Sequence, residues 1–162
     1  MRVKSVTSKD ISRIYKLEKA TFEENAFTRE LFVKLVKLHL LFLKLEKGIL
    51  NKKIIGFIIV IKDKKDRANL INFLIDKSYR NKGWGSFLLQ HTLDRIKINY
   101  PKINKIILNV NVDNSPAVHV YKKFDFRIAD KIDNYYNNGD SAYVMKLDLK
   151  NNKRANHSNK VL

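Results

Sequence analysis

The chain has 162 residues and is 44% hydrophobic, enough for one domain with a packed core and too apolar for a disordered chain. It has no cysteine, which excludes disulfides, thiolate metal sites and a cysteine nucleophile. Its 33 basic and 16 acidic residues leave a net charge of +17, which draws anions such as nucleotide cofactors, RNA and acidic protein tails. The lysines are scattered in short pairs, which reads as a solvated surface. No zinc-finger spacing or RNA-recognition aromatic pattern is present, so nucleic-acid binding is not read as the primary role. No apolar run approaches a membrane span, and Met1-Arg2 leads straight into a strand-like segment. The expectation is a cytoplasmic protein with no membrane contact.

In chain order, Val3 to Val6 alternates as a first strand. Asp10 is placed to cap a helix in which Ile11, Ile14, Tyr15 and Leu17-Glu18 recur at helical spacing. The stretch Phe22 to Phe27 (FEENAF) interrupts it. Thr28 caps a second helix with Leu31, Phe32, Leu35 and Val36 on its apolar face. Leu40 to Leu45 and Ile54 to Ile61 are strands joined by a hairpin connection holding Gly48 and Asn51. A charged turn, Lys62 to Arg67, leads into a third strand of what should be an antiparallel meander.

That strand opens the stretch Asn69 to Leu89 (NLINFLIDKSYRNKGWGSFLL). Apolar strand residues give way to a polar turn with Gly83 and Gly85, and then to a helical pattern from Phe87 that runs to about Asn99, before Pro101. A helix start leaves backbone N–H groups without intrahelical partners and carries partial positive charge, which suits phosphate. Arg80 and Lys82 flank it. The turn lacks the Gly-Lys-Ser/Thr of a P-loop and the third glycine of a dinucleotide fingerprint. Read locally it is an anion site, best suited to the diphosphate of a nucleotide-like cofactor, or a purely structural turn.

Lys105 to Val112 is a strand with Ile107, Asn109 and Asn111 on one side and Ile106, Leu108 and Val110 on the other. Asn114-Ser115-Pro116 starts a short amphipathic helix through Ala117, Val118, Tyr121 and Phe124. Phe126 to Ile128 begins a further strand, Asn134 to Asp140 is a turn, and Ala142 to Leu149 is the last strand. From about Lys150 onward the chain is nearly devoid of apolar residues and is expected to be a disordered basic tail. The strand–helix–strand crossover through the glycine turn should be parallel and right-handed.

The glycine turn, read as Arg80-x-x-Gly83-x-Gly85, resembles the acetyl-CoA pyrophosphate loop of the GCN5-related N-acetyltransferases (GNAT), usually Gln/Arg-x-x-Gly-x-Gly/Ala. The series Leu108-Asn109-Val110, Asn114-x-x-Ala117-x-x-x-Tyr121-x-x-x-Asp125-Phe126 and Tyr135-Tyr136-x-x-Gly139-Asp140-x-Ala142-x-x-Met145 is similar to N-terminal protein acetyltransferases. It resembles those of the ribosomal-protein alanine (RimI) type and the related archaeal and eukaryotic enzymes. The likeness covers residues 2 to 149, taken as a single domain 1–149 followed by the tail 150–162. It implies an α/β (α+β) GNAT fold, a mixed, mostly antiparallel central sheet of six to seven strands with helices on both faces.

The resemblance further implies acetyl transfer from acetyl-CoA to the α-amine of a protein N-terminus, with no metal. Backbone groups of Phe73, Leu74 and Ile75 would pair with the pantetheine. Arg80, Asn81, Lys82, Gly83, Trp84, Gly85 and Ser86 would hold the diphosphate. Asn114 would contact the pantetheine arm, or act as a plain helix cap. Tyr121 would stand near the thiol sulfur as general acid; a phenol, with a reference pKa of about 10, outlasts a thiol at about 8.5 as a proton holder. From its position alone Tyr121 reads instead as a packing residue. Tyr135 and Tyr136, adjacent and rigid, are read as one wall of a peptide groove or as turn aromatics; Phe27 and Glu24 are read as further substrate contacts, or Glu24 as a solvated loop acid.

One departure matters. Where the ribosomal-protein type carries a glutamate base and some relatives a histidine, this strand carries Asn109, and an amide takes no proton at neutral pH. The substitutes are Glu24, a water held by Asn109 and backbone carbonyls, or the fraction of substrate amine already neutral. His119 lies about 200° around its helix from Tyr121 and is not read as a base. His39, His91 and His157 show no ligand spacing. The competing readings are an acetyltransferase for a small amine or a lysine side chain, and a non-catalytic basic RNA- or ribosome-binding module. Expected partners are protein N-termini, with ribosome association through the basic surface, and the expected state is a monomer or weak dimer.

Overall fold

The computed structural model describes residues 1–150. The tail expected beyond that point lies outside the described residues. The strands are β1 (Arg2–Ser5), β2 (Leu41–Lys47), β3 (Lys53–Lys64), β4 (Arg67–Ile75), β5 (Lys105–Asn111), β6 (Arg127–Ile132) and β7 (Ala142–Asp148). The helices are α1 (Ile11–Phe22), α2 (Arg29–Leu38), α3 (Trp84–Asn99) and α4 (Ser115–Lys123). The strands make one seven-stranded sheet in the order β1-β2-β3-β4-β5-β7-β6. The pairs β1–β2, β2–β3, β5–β7 and β6–β7 are antiparallel. The chain divides into two compact units, one of residues 1–61 with 70–92, the other of residues 62–69 with the described residues from 93 on.

In the first unit the apolar stripes of α1 and α2 found their partners on the sheet. Ile11, Ile14 and Leu17 of α1 and Phe32 and Leu35 of α2 are buried in one cluster with Phe42, Phe57, Ile59 and Leu74. Phe32 packs edge-on to Phe57 at 5.8 Å and near-parallel to Phe42 at 6.2 Å, so one side chain of α2 joins the helix to two strands. Thr28 caps α2 as its sequence position predicts, accepting from the Leu31 N–H at 3.2 Å. Gly48 turns the β2–β3 hairpin at φ 93, and a Cβ there would meet the Asn51 carbonyl oxygen at 2.5 Å.

Two local expectations are corrected. Asp10 does not cap α1 through its side chain. Its carboxylate accepts from the Thr7 backbone N–H at 2.8 Å and the Thr7 hydroxyl at 2.9 Å around a 3-10 turn, Ser8–Asp10. Its other oxygen takes Lys44 at 2.7 Å, and Lys44 also reaches Glu46 at 2.8 Å. β2 is buried along nearly its whole length, so Lys44 and Glu46 are held where an unpaired charge would be costly. The second correction is the charged turn expected at 62–67. β3 runs on to Lys64, β4 starts at Arg67, and only Lys65 and Asp66 turn. Exposed charges do not interrupt a backbone ladder, and Asp63 and Arg67 clasp across this turn at 2.7 Å.

The second unit pairs β5 with β7 and β7 with β6. The alternation expected of β5 holds: Ile106, Leu108 and Val110 are buried, and Asn109 on the other face is exposed. Leu108 lies opposite Met145 and Ile106 opposite Leu147, all four buried. β6 is exposed along its length and ends the sheet.

Candidate active site

The glycine turn is built from the end of β4. The Asp76 N–H donates to the Ile55 carbonyl at 2.8 Å, which closes the ladder. The Asp76 carboxylate caps a 3-10 turn, Lys77–Tyr79, through the Ser78 N–H at 3.1 Å, and pairs with Arg13 at 3.3 Å. The Arg80 Nε donates back to the Ile75 carbonyl at 2.8 Å. That carbonyl, expected to serve a ligand, is thus engaged by the loop's own arginine. Lys82 donates to the Ser78 carbonyl at 3.3 Å and lies 5.8 Å from the centre of the Tyr79 ring.

The two glycines are there for different reasons. Gly83 has φ 78 and open space where a Cβ would be, so conformation alone demands it. Asn81 just before it is also left-handed, at φ 57. Gly85 is helical, and a Cβ there would touch Phe73 and Ile75 at an ordinary 3.6 and 3.8 Å. The fold does not require glycine at Gly85; a bare backbone face at a helix start does suit an approaching phosphate. Trp84, Gly85 and Ser86 supply the first turn of α3, where N–H groups have no intrahelical acceptor. The residues present therefore fit the diphosphate of acetyl-CoA.

Also in this unit, the loop between α1 and α2 carries a 3-10 turn, Glu23–Asn25. Glu24 is exposed on it. Phe27 is half-buried against the core, 6.0 Å from the Phe32 ring. The acid that the structure singles out is a different one. Glu18 of α1 is only 1% exposed, and its Oε1 accepts from the Phe27 backbone N–H and from the Asn72 side-chain amide, both at 2.9 Å. Burial pushes its carboxyl up to about 7, against the two hydrogen bonds that favour the charged form. Sequence reasoning recorded Glu18 only as part of a helical repeat. The missed signal was an acid at the buried end of the Ile11, Ile14, Leu17 stripe.

The second unit holds the other expected residues. Asn114 caps α4, its Oδ1 accepting from the Ala117 N–H at 3.2 Å, so the capping reading is correct whatever else its amide nitrogen does. Tyr121 of α4 is 6% exposed, with its ring edge-on to Phe126 at 5.6 Å. Burial, with a smaller contribution from Tyr136, pushes its phenol well above the usual range. It keeps its proton at every physiological pH. His119 is exposed on the same helix, unlike Tyr121.

Asn109 is engaged rather than idle. Its Nδ2 donates to the Tyr135 hydroxyl at 2.7 Å. The Tyr135 and Tyr136 rings meet edge-to-face at 5.0 Å. Asp140 ties their turn together: its Oδ2 accepts from Asn111 at 2.7 Å and Asn138 at 2.8 Å, and its carbonyl accepts from the Tyr136 N–H at 3.0 Å. Burial and the nearby Tyr135 and Asp140 push the Tyr136 phenol up to about 12. Among the described residues no group of three His, Asp or Glu side chains is gathered as a metal site, and no helix is long and apolar enough to cross a membrane.

The acetyltransferase (GNAT) family model matches residues 11–126, and the chain belongs to that family. Its sequence is 27% identical over 151 residues to an N-alpha-acetyltransferase of Saccharolobus solfataricus, covering 86% of this chain and 88% of the relative. It is 34% identical over 83 residues to the N-alpha-acetyltransferase of Sulfolobus acidocaldarius, a match spanning 51% of this chain and about half, 49%, of that relative. Ard1 from Thermoplasma volcanium has the same fold, with a TM-score of 0.80 and 26% identity over 91% of this chain and 96% of that one.

Proposed function

We propose that the protein transfers the acetyl group of acetyl-CoA to the α-amine of protein N-termini. The observation that carries this choice is the likeness to the Saccharolobus N-alpha-acetyltransferase, which spans most of both chains. Acetyl-CoA supplies the acetyl group as a thioester. Backbone groups of Phe73 and Leu74 would hold its pantetheine, the turn from Arg80 to Ser86 its diphosphate, and the Asn114 amide its arm. Tyr121 would hold a proton at its phenol oxygen for the departing thiol.

The amine must lose a proton, and Asn109 cannot take it. At pH 7.5 roughly a third of an α-amine is already neutral, against about a thousandth of a lysine side chain. This ratio supports N-termini over lysines as substrates and makes a strong base dispensable. Asn109 donates its amide hydrogen to the Tyr135 oxygen, so the Tyr135 O–H would be left to donate to a substrate backbone carbonyl. Phe27, Tyr135 and Tyr136 would offer rigid aromatic contact to the first residues of the peptide, with Glu24 on the exposed turn as an anchor for its amine. The net charge of +17 supports work near ribosomal RNA, where nascent N-termini emerge.

The test is acetyl transfer to short peptides of varied first residue, each paired with a version blocked at its N-terminus but keeping an internal lysine. Transfer confined to free N-termini is the expected result. Transfer to the blocked set moves the reading to lysine. Acetyl-CoA binding without transfer to either set moves it to a small amine.

A further inference from the structure

Glu18 and Asn72 form a buried pair that the reaction outlined above does not use. Three chain segments meet there. Glu18 comes from α1, Asn72 from β4, one residue before the segment assigned to the pantetheine, and the Phe27 N–H from the end of the loop that begins at Glu23. The Glu18 side chain is 1% exposed and Asn72 7%. One oxygen of Glu18 accepts both available hydrogen bonds, from Phe27 and Asn72. The other, Oε2, is buried with no partner, and so is Asn72 Oδ1.

Two buried acceptors without donors in one pair are an unstable arrangement. A proton on Glu18 resolves it. The acid O–H then has Asn72 Oδ1 to donate to, while Oε1 keeps the Asn72 amide, and carboxyl and amide close a ring of two hydrogen bonds. Burial, and not a neighbouring charge, is why the proton is held. On α1, Lys16 and Lys19 are exposed; in the loop, Glu23 and Glu24 are exposed; on β4, the neighbours of Asn72 are Ile71 and Phe73. None of these charges contributes to the rise in the Glu18 pKa, which burial causes.

We propose that Glu18, with Asn72, is a positioning residue for the amine-bearing substrate. It pins the backbone at Phe27 and so fixes the loop from Glu23 to Phe27 against α1 and β4. The proposal rests on the reading of that loop as part of the peptide site. Glu18 is not itself the base: it acts through the loop. The Phe27 bond holds in both protonation states, because it favours the charged form, while the proton between Oε2 and Asn72 Oδ1 is given up as the pH rises.

The test compares the full-length protein with Glu18→Leu and Glu18→Gln. Glutamine keeps an acceptor for Phe27 and adds a donor for Asn72 Oδ1, but does not titrate. Expected is a rise of about tenfold in peptide KM for Glu18→Leu, the size of one lost charge-assisted hydrogen bond, with acetyl-CoA affinity unchanged. Glu18→Gln restores the peptide KM. Three results overturn the proposal: an unchanged peptide KM in Glu18→Leu, an equal loss of acetyl-CoA affinity, or Glu18→Gln no better than leucine. Amide hydrogen exchange at Phe27 is read in the same three proteins. If the wild type acetylates no peptide, the substrate reading fails, and exchange alone decides the clasp: protection lost in leucine and kept in glutamine supports it, equal protection in all three overturns it.

Discussion

Ionising Glu18 inside the fold is harder than ionising it in the unfolded chain, and stability must reflect the difference. Its ordinary value is 4.5 and burial raises it to about 7. A group raised on folding contributes stability that is complete below the unfolded value and lost as pH rises through the folded one. Wild type should therefore lose about 3 kcal/mol relative to Glu18→Gln between pH 4.5 and pH 7.5, and no more above that. Urea unfolding of both proteins at several pH values measures it; parallel curves would mean that Glu18 is ionised without penalty. Tyr121 has a simpler test. Tyr121→Phe retains the ring contact with Phe126 and removes only the O–H. If that O–H serves the leaving thiol, kcat should fall about a hundredfold, within the usual range for a general acid, while acetyl-CoA affinity stays the same. A kcat within twofold of wild type would return Tyr121 to a packing role.

At the scale of elements, the glycine turn makes a prediction of opposite signs. Gly83→Ala forces a left-handed alanine and should lower stability by about 1 kcal/mol. Gly85→Ala sits in a helix with only ordinary contacts and should raise it by about 0.5 kcal/mol. Thermal melts of the two variants decide it; a loss at Gly85 as large as at Gly83 would mean that the fold, and not a ligand, keeps that glycine. The strand–turn–helix itself was legible because apolar spacing, Arg80, Gly83 and Gly85 are local signals. So were the Thr28 and Asn114 caps and the alternation of β5, each a matter of a few neighbouring residues. Asp10 misled because two local roles compete for its carboxylate, and the winner depends on Lys44, which lies far along the chain. The Glu18–Asn72 pair was invisible for the same reason, since its partners are 54 residues apart. Asn109 was read as an amide with no base to offer, and its bond to Tyr135 required knowing how the turn from Asn134 to Asp140 folds back.

For the whole molecule, charge is the dominant property. With 33 cations and 16 anions, a net +17 remains even if every acid finds a base. The described ion pairs absorb Asp10, Glu46, Asp63, Asp76 and Asp133, and the Lys44 cluster among them is largely shielded from water. Burial works against both Asp10 and Lys44 as ions, but their mutual bond, with those from Thr7 and Glu46, outweighs it; Asp10 is held below the usual carboxylate range and Lys44 above the usual amine range. Salt screens exposed charges over about 10 Å at 0.1 M and shielded pairs much less. Added salt should therefore relieve repulsion among the surplus cations while leaving the Lys44 cluster nearly intact. The melting temperature should rise between 10 mM and 300 mM sodium chloride, by a few degrees on the scale of about 1 kcal/mol. Acetyl-CoA binding should move the other way, because the same surplus attracts an anion: its KM rises over that range by more than the KM of a peptide with no ionisable side chain. A melting temperature that falls with salt would place the net stabilisation in the ion pairs instead. An acetyl-CoA KM indifferent to salt would mean that the backbone N–H groups of the glycine turn, and not the surrounding lysines, hold the phosphates.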